Sequence, residues 1–242
     1  MRYEMIRTFT RVALVAAGLA LAGCASVQTG AASKDDPFEP WNRAMYDVHQ
    51  VVDGKLIKPA VQAYVDVTPR PIQSGIRNFF GNLDDVVSVM NDFLQWKLDK
   101  AGNDMGRVMV NSFFGLGGII DIASDAGIEK GNEDFGQTFG VWGIPQGPYL
   151  FIPVLGPSTV RDGTGLIVRA YASPLSYIIT DIPVRNVLYG VGFVDARAQA
   201  LQSESFVDQA ALDRYTFIRR AYLQRRAYLV RDGKPAPANE DD

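Results

Sequence analysis

Ile76-Arg77-Asn78-Phe79-Phe80-Gly81-Asn82-Leu83-Asp84-Asp85-Val86-Val87-Ser88-Val89-Met90-Asn91-Asp92-Phe93-Leu94 carries the pattern that decides the fold. Ile76, Phe79, Phe80, Leu83, Val86, Val87, Met90, Phe93 and Leu94 recur at steps of three and four, with Arg77, Asn78, Asp84, Asp85 and Asp92 opposite. That spacing predicts a two-faced helix. Its apolar stripe belongs by default against a core; the alternative is the acyl region of a bilayer, with the charges toward headgroups.

Similar readings extend to both sides. Residues 37–52 predict a helix with Trp41, Met45, Val48 and Val52 on one stripe, and Pro69-Arg70-Pro71 interrupts regular structure before the next. Residues 104–114 have helical spacing, which Gly115-Leu116-Gly117-Gly118 ends or kinks; close packing at a helix stop is the first reading of these glycines, and a hinge the second. Residues 131–165 hold eight of the 23 glycines and four of the 13 prolines, so long loops with short extended pieces are expected there. Leu166–Tyr171 and Pro174–Val194 are apolar on nearly every face, yet charges and prolines keep any window short of a spanning helix. A last helix is expected over 205–230, and a disordered tail over 231–242. With no sustained alternation, the fold class is mainly α: one domain, residues 36–230, of amphipathic helices joined by long Gly/Pro-rich loops.

The N-terminus supplies the compartment. Arg2, Arg7 and Arg11 precede an apolar run, residues 12–22, that is too short to span a bilayer. It ends in Leu21-Ala22-Gly23-Cys24, which has the form of a bacterial lipobox and contains the only cysteine. Cleavage is expected between Gly23 and Cys24, with a thioether-linked diacylglycerol and an N-acyl chain on Cys24; two or more chains anchor stably where one holds marginally. Ala25 and Ser26 follow in place of the aspartate typical of lipoproteins kept at the inner membrane, which points to the inner leaflet of the outer membrane. Residues 24–35 read as a flexible tether.

Removing 23 of 242 residues leaves 219, and losing three arginines and Glu4 moves the net charge from −3 to −5. No basic footprint for nucleic acid results. A single histidine, His49, gives no catalytic triad, there is no G-x-S-x-G elbow, and Asp84-Asp85 or Asp121 with Asp125 lack the spacing of a calcium loop. No catalytic residue, metal or cofactor is expected. Arg214, Arg219 and Arg220 are candidate contacts for anionic headgroups, or the solvated face of a helix.

Several stretches together resemble the MlaA/VacJ family of outer-membrane lipoproteins. They are Asp36-Pro37-Phe38-Glu39 with Asn42-Arg43 and Tyr46; Asn78 with Gly81-Asn82-Leu83; Leu94-Gln95; and Arg107, Asn111, Gly115–Gly118 and Asp121. Asp134–Gly143, Gly147-Pro148-Tyr149, Gly156–Asp162, Asp195, Arg197 and Arg220–Arg226 complete the set, whereas Trp96–Leu98 and residues 128–132 follow no family pattern. The resemblance implies a helical ring in the inner leaflet, with an amphipathic channel through which misplaced phospholipids leave the outer leaflet. It also implies association with trimeric porins, and transfer of lipid to a soluble periplasmic carrier, MlaC. On that reading the apolar segment lines or gates the path through Leu166, Tyr171, Ile178, Ile182, Val187 and Val191, with Gly117, Gly118, Gly163 and Gly165 giving it freedom to move. Two other classes stay open: a lipid-degrading enzyme using Ser158 or Asp162, and a structural lipoprotein that supports porins.

Overall fold

The computed structural model describes residues 36–211 and 213–235. The leader, Cys24 and the tether over 24–35 lie outside the described residues. Helix α1 (Glu39–Val52) passes through a π-turn (Asp53–Ile57) into α2 (Lys58–Val67), and Pro69 caps the long α3 (Arg70–Leu94). Then follow α4 (Leu98–Phe113), α5 (Ile122–Asp125), α6 (Phe135–Val141), a hairpin of β1 (Tyr149–Ile152) and β2 (Gly156–Thr159), α7 (Val160–Ala172), α8 (Leu175–Ile178), α9 (Ile182–Ala210) and α10 (Arg214–Val230). The strands pair antiparallel, Tyr149 opposite Thr159 and Ile152 opposite Gly156.

The elements close on themselves. α1 packs on β1, the hairpin on α7, α7 on α6, α6 on α3, α3 on α9, and α9 returns to α2. The result is a ring. Its one conventional apolar core is small, built by Tyr149, Phe151 and Tyr215 with Met45, Tyr46, Tyr222 and Leu223. Asn42 fixes it by donating to Asp36 Oδ1 (2.8 Å) and Tyr149 O (3.0 Å) while accepting from the Phe151 amide (2.9 Å).

Elsewhere the usual arrangement is inverted. Among the described residues, nine buried side chains are apolar and twenty-two are polar or charged, the reverse of a water-soluble domain. On α3 the buried positions are Asn82, Asp85, Val87, Ser88, Asn91 and Asp92, while Met90, Phe93 and Leu94 are exposed. On α4, Asp104, Arg107 and Asn111 are buried, and Met105, Met109 and Phe113 are exposed. The default expectation of a core-facing stripe on residues 76–94 is thus corrected: the stripe is divided between an internal cavity and the outside, and charge–charge contacts tie the helices together. Burying such groups is affordable only when they are paired. Arg226 clasps Asp134 and Asp162 (2.5–3.0 Å), Arg219 holds Asp36 (2.8 Å), and Arg197 with Lys58 gathers Asp53 and Glu204.

The region 131–165, expected to hold long loops with short extended pieces, has those pieces as the strands of the hairpin, while α6 and the start of α7 replace part of the loops. Its glycines are spacers: a Cβ on Gly136 would meet Asp162 Oδ1 at 2.5 Å, and one on Gly165 would meet the Gly136 nitrogen at 2.6 Å, so α6 and α7 touch backbone to backbone. Asp134 and Thr159 start these helices by accepting the amides of Gln137 and Asp162. The helix expected over 205–230 is two: α9 runs to Ala210, and Asp213 caps α10 by accepting the Thr216 amide. The domain continues beyond Val230, because Asp232, expected in the tail, pairs with Lys97 and Lys100.

One polar contact has a pH consequence. The Asp92 side chain at the end of α3 is fully buried, forms no ion pair among the described residues, and lies near the Asp104 carboxyl, with Lys100 the cation that opposes its protonation. Burial first, then Asp104 and Glu133, push its pKa up to about 7. The folded protein therefore keeps a proton between pH 4 and 7 that the unfolded chain has lost, and stability falls as pH rises through that window. Asp92→Asn supplies a permanent donor to Asp104. It should flatten this loss and raise the melting temperature more at pH 8 than at pH 5; a variant with the same pH profile as wild type would refute the shared proton.

Candidate functional site

α3, α7, α8, α9 and the tip of the hairpin surround a cavity of about 660 Å³. Phe80, Leu83 and Val87 from α3, Leu155 from the hairpin, Leu166 from α7 and Phe193 from α9 make an apolar wall. The periodicity places them: residues 80, 83, 84 and 87 share one face of α3, and 166, 169 and 170 one face of α7. Leu155 is carried inward by the turn after Val154, whose backbone is left-handed (φ 72°) and whose amide donates to His49 Nδ1 at 3.1 Å. That bond requires neutral imidazole, and burial lowers the His49 pKa.

A second cavity of about 440 Å³ adjoins the first and shares Phe80, Asp84, Gly192 and Ala196 with it. Its lining is polar: Arg77, Asn78, Asn82, Asp85, Arg107, Asn111, Asp121, Lys130 and Asp195. Arg107, 1% exposed, ties this wall together by donating to Asp85 Oδ2 (3.3 Å), to both Asp121 oxygens (3.1 and 3.2 Å), and to the Ile128 carbonyl. Burial alone would raise the Asp121 carboxyl, but Ser124, Asn111 and Arg107 hold it at about 2. Residues 128–132, which matched no family pattern, close the same wall: Lys130 pairs with Asp85 at 2.9 Å, and the Gly131 amide donates to Asp104 at 3.1 Å. The two cavities therefore lie side by side across Phe80, Asp84, Gly192 and Ala196, the first lined mainly by apolar groups and the second by charged ones.

Of the residues expected to line a path, Leu166 lines the first cavity. Tyr171, Ile178, Ile182 and Val187 are exposed, Val191 is half-buried, and none of them lines either cavity. Phe113 (77% exposed), Phe114, Leu116, Ile119 and Ile120 are exposed apolar side chains as well. Gly117 and Gly118 make the left-handed turn after α4; a Cβ on Gly118 would meet Asn82 at 2.6 Å and one on Gly115 the Ile120 carbonyl oxygen, whereas Gly117 has open space around it and supplies the positive φ. Gly165 is wedged on Gly136, and Gly163 lies within α7 at ordinary contact distance from Ser158.

The headgroup candidates separate. Arg219 is buried and committed to Asp36 and Glu39, which removes it, whereas Arg220 is exposed and Arg214 half-buried. Sequence reasoning missed Asp84 and Arg169, an ion pair on the cavity wall. Arg169 is signalled by a lone charge within the apolar run 166–171, whereas Asp84, expected opposite the stripe, shares its inner face with Phe80, Leu83 and Val87. Ser158 is buried with its hydroxyl turned to the Thr159 carbonyl, and Asp162 is consumed by Arg226 and Tyr222.

No helix among the described residues is long and apolar enough to cross a membrane. Fold and site define a class: a helical ring, greasy outside, with apolar and charged cavities side by side in its interior. The chain belongs to the MlaA lipoprotein family, whose pattern matches residues 34–229. It is 33% identical over 221 residues to the intermembrane phospholipid transport system lipoprotein MlaA of Shigella flexneri, covering 90% of this chain and 87% of that one. It is 34% identical to the protein of the same name from Haemophilus influenzae, covering 97% and 96%. A solved structure from work on the structural basis for maintenance of bacterial outer membrane lipid asymmetry superposes with a TM-score of 0.71 at 31% identity, covering 81% of this chain and all of that one.

Proposed function

We propose that this protein extracts mislocalised phospholipids from the outer leaflet of the outer membrane and passes them toward the periplasm, maintaining lipid asymmetry by transport without chemistry. The observation that carries the reading is the pairing of an apolar exterior with a two-sided interior. Moving a headgroup through hydrocarbon costs several kcal/mol or more when its charges are unpaired. A passage with charged groups on one wall and Leu83, Val87 and Leu166 on the other solvates headgroup and tails together.

Acylation of Cys24 fixes the depth of the ring at the inner leaflet, where the exposed belt around Phe113, Tyr171 and Ile178 meets acyl chains. Trimeric porins are the lateral partners, and a soluble MlaC-like carrier accepts the lipid. The names of the relatives support transport; the anchor and both partners rest on the lipobox and the resemblance. Cells lacking this chain should show several-fold more outer-leaflet phospholipid by surface-selective labelling, together with detergent sensitivity that the wild-type copy reverses. Unchanged asymmetry would overturn the reading, and lysolipid released by purified protein would favour an enzyme.

A further inference from the structure

Within the interior, one pair of opposite charges is available to a ligand on both sides. Asp84 of α3 and Arg169 of α7 form an ion pair across the cavity wall, yet their side chains remain 54% and 46% exposed. Among the other charges, Arg77 is half-exposed in the polar cavity but its partner Asp195, at 3.9 Å, is buried, so that pair is open on one side only. Asp85 is buried between Arg107 and Lys130, and Lys130 also donates to the Gly81 carbonyl at 3.1 Å. Asp195 is buried and accepts from Tyr64 (2.9 Å) and Gln199 (2.8 Å), and Arg185 faces the carbonyls of Ser176 and Ile179. The pair also stands at a boundary. Leu83 and Val87 flank Asp84, Leu166 and Ala170 flank Arg169, and Asp84 belongs to both the apolar and the polar cavity.

We propose that Asp84 and Arg169 form a headgroup subsite selective for a zwitterionic phosphodiester bearing a primary ammonium, the chemistry of phosphatidylethanolamine. This rests on the phospholipid-transport reading above and adds a headgroup preference to it. A guanidinium presents a planar fork matched to two phosphate oxygens. Once phosphate takes Arg169, the Asp84 carboxylate loses its partner beside Leu83 and Val87 and is free to pair with a cation on the same ligand. A primary ammonium on the same headgroup restores the pairing with N–H donors, so one protein ion pair is exchanged for two protein–lipid ones. A glycerol headgroup leaves the carboxylate facing a net anionic lipid, and a quaternary ammonium offers charge without a donor.

The test uses the full-length acylated protein extracted in mild detergent from cells containing both phosphatidylethanolamine and phosphatidylglycerol, with bound lipids quantified by native mass spectrometry. Wild type should be enriched in phosphatidylethanolamine over the membrane ratio. Asp84→Asn should lower the bound ethanolamine-to-glycerol ratio by about three- to tenfold while total bound phospholipid is kept. Asp84→Glu should restore the ratio, and Arg169→Gln should reduce both lipids together. Half-exposed positions tolerate these changes, and circular dichroism checks the fold. A loaded Asp84→Asn protein with the wild-type ratio overturns the subsite and leaves the transport reading standing. Wild type carrying no phospholipid overturns both.

Discussion

Arg107→Ala should cost about 3–5 kcal/mol of stability, the range expected when one partner is removed from a buried ion pair. The guanidinium joins α3 through Asp85, α5 through Asp121 and Ser124, and the following loop through the Ile128 carbonyl, all from α4. Without it, Asp85 keeps only Lys130, which reaches in from a half-exposed position, and Asp121 keeps Asn111 and Ser124. A domain whose interior is mostly polar has little apolar burial in reserve, so the loss should be read directly as a lower midpoint in thermal or denaturant unfolding. Because the penalty lies in the orphaned carboxylate, adding Asp85→Asn to Arg107→Ala should recover part of it. A single variant as stable as wild type would show that the polar networks are incidental to the fold.

The largest functional effect is expected at Leu166. This side chain sits on the cavity wall one turn from Arg169, where tails would pass once the headgroup is paired. Leu166→Glu sets a carboxylate among acyl chains; about 2–3 kcal/mol added to the passage would slow transport about 30- to 150-fold. Leu166→Met keeps the wall apolar and should remain near wild type. The Glu variant should regain activity as pH falls toward carboxylate protonation, since only the charged form is costly. Transport measured as loss of labelled outer-leaflet phospholipid, unaffected by the Glu variant, would place the route elsewhere.

Much of the fold was legible, for reasons that also explain what was not. The three-four spacing over residues 76–94 identified the longest uninterrupted amphipathic helix correctly, because periodicity depends on backbone geometry alone. Which face turns inward depends on the surrounding solvent, and that is absent from the spacing. The glycines of 131–165 signalled loops because glycine is the usual breaker; at Gly136 and Gly165 the missing side chain instead permits contact between two helices. The division of the last helical stretch was encoded in Asp213 and Thr216, a capping pair obscured by the apolar residues on either side. At the site, an apolar run marks Leu166, Tyr171, Ile178, Ile182 and Val187 alike; Leu166 lines the first cavity and the other four are exposed outside both, a difference that the run does not encode. Arg219 shows the converse: an arginine on a basic helix reads as surface until Asp36, 183 residues away in sequence, is brought against it.

The central claim is that phospholipid occupies the space enclosed by α3, α7, α8 and α9. The most direct measurement places a photo-crosslinking amino acid at position 80, on the wall common to both cavities, irradiates intact cells, and identifies the adduct by mass spectrometry. The ring geometry predicts a covalent phospholipid adduct at position 80. Adducts at the outward-facing position 177 but none at position 80 would contradict it.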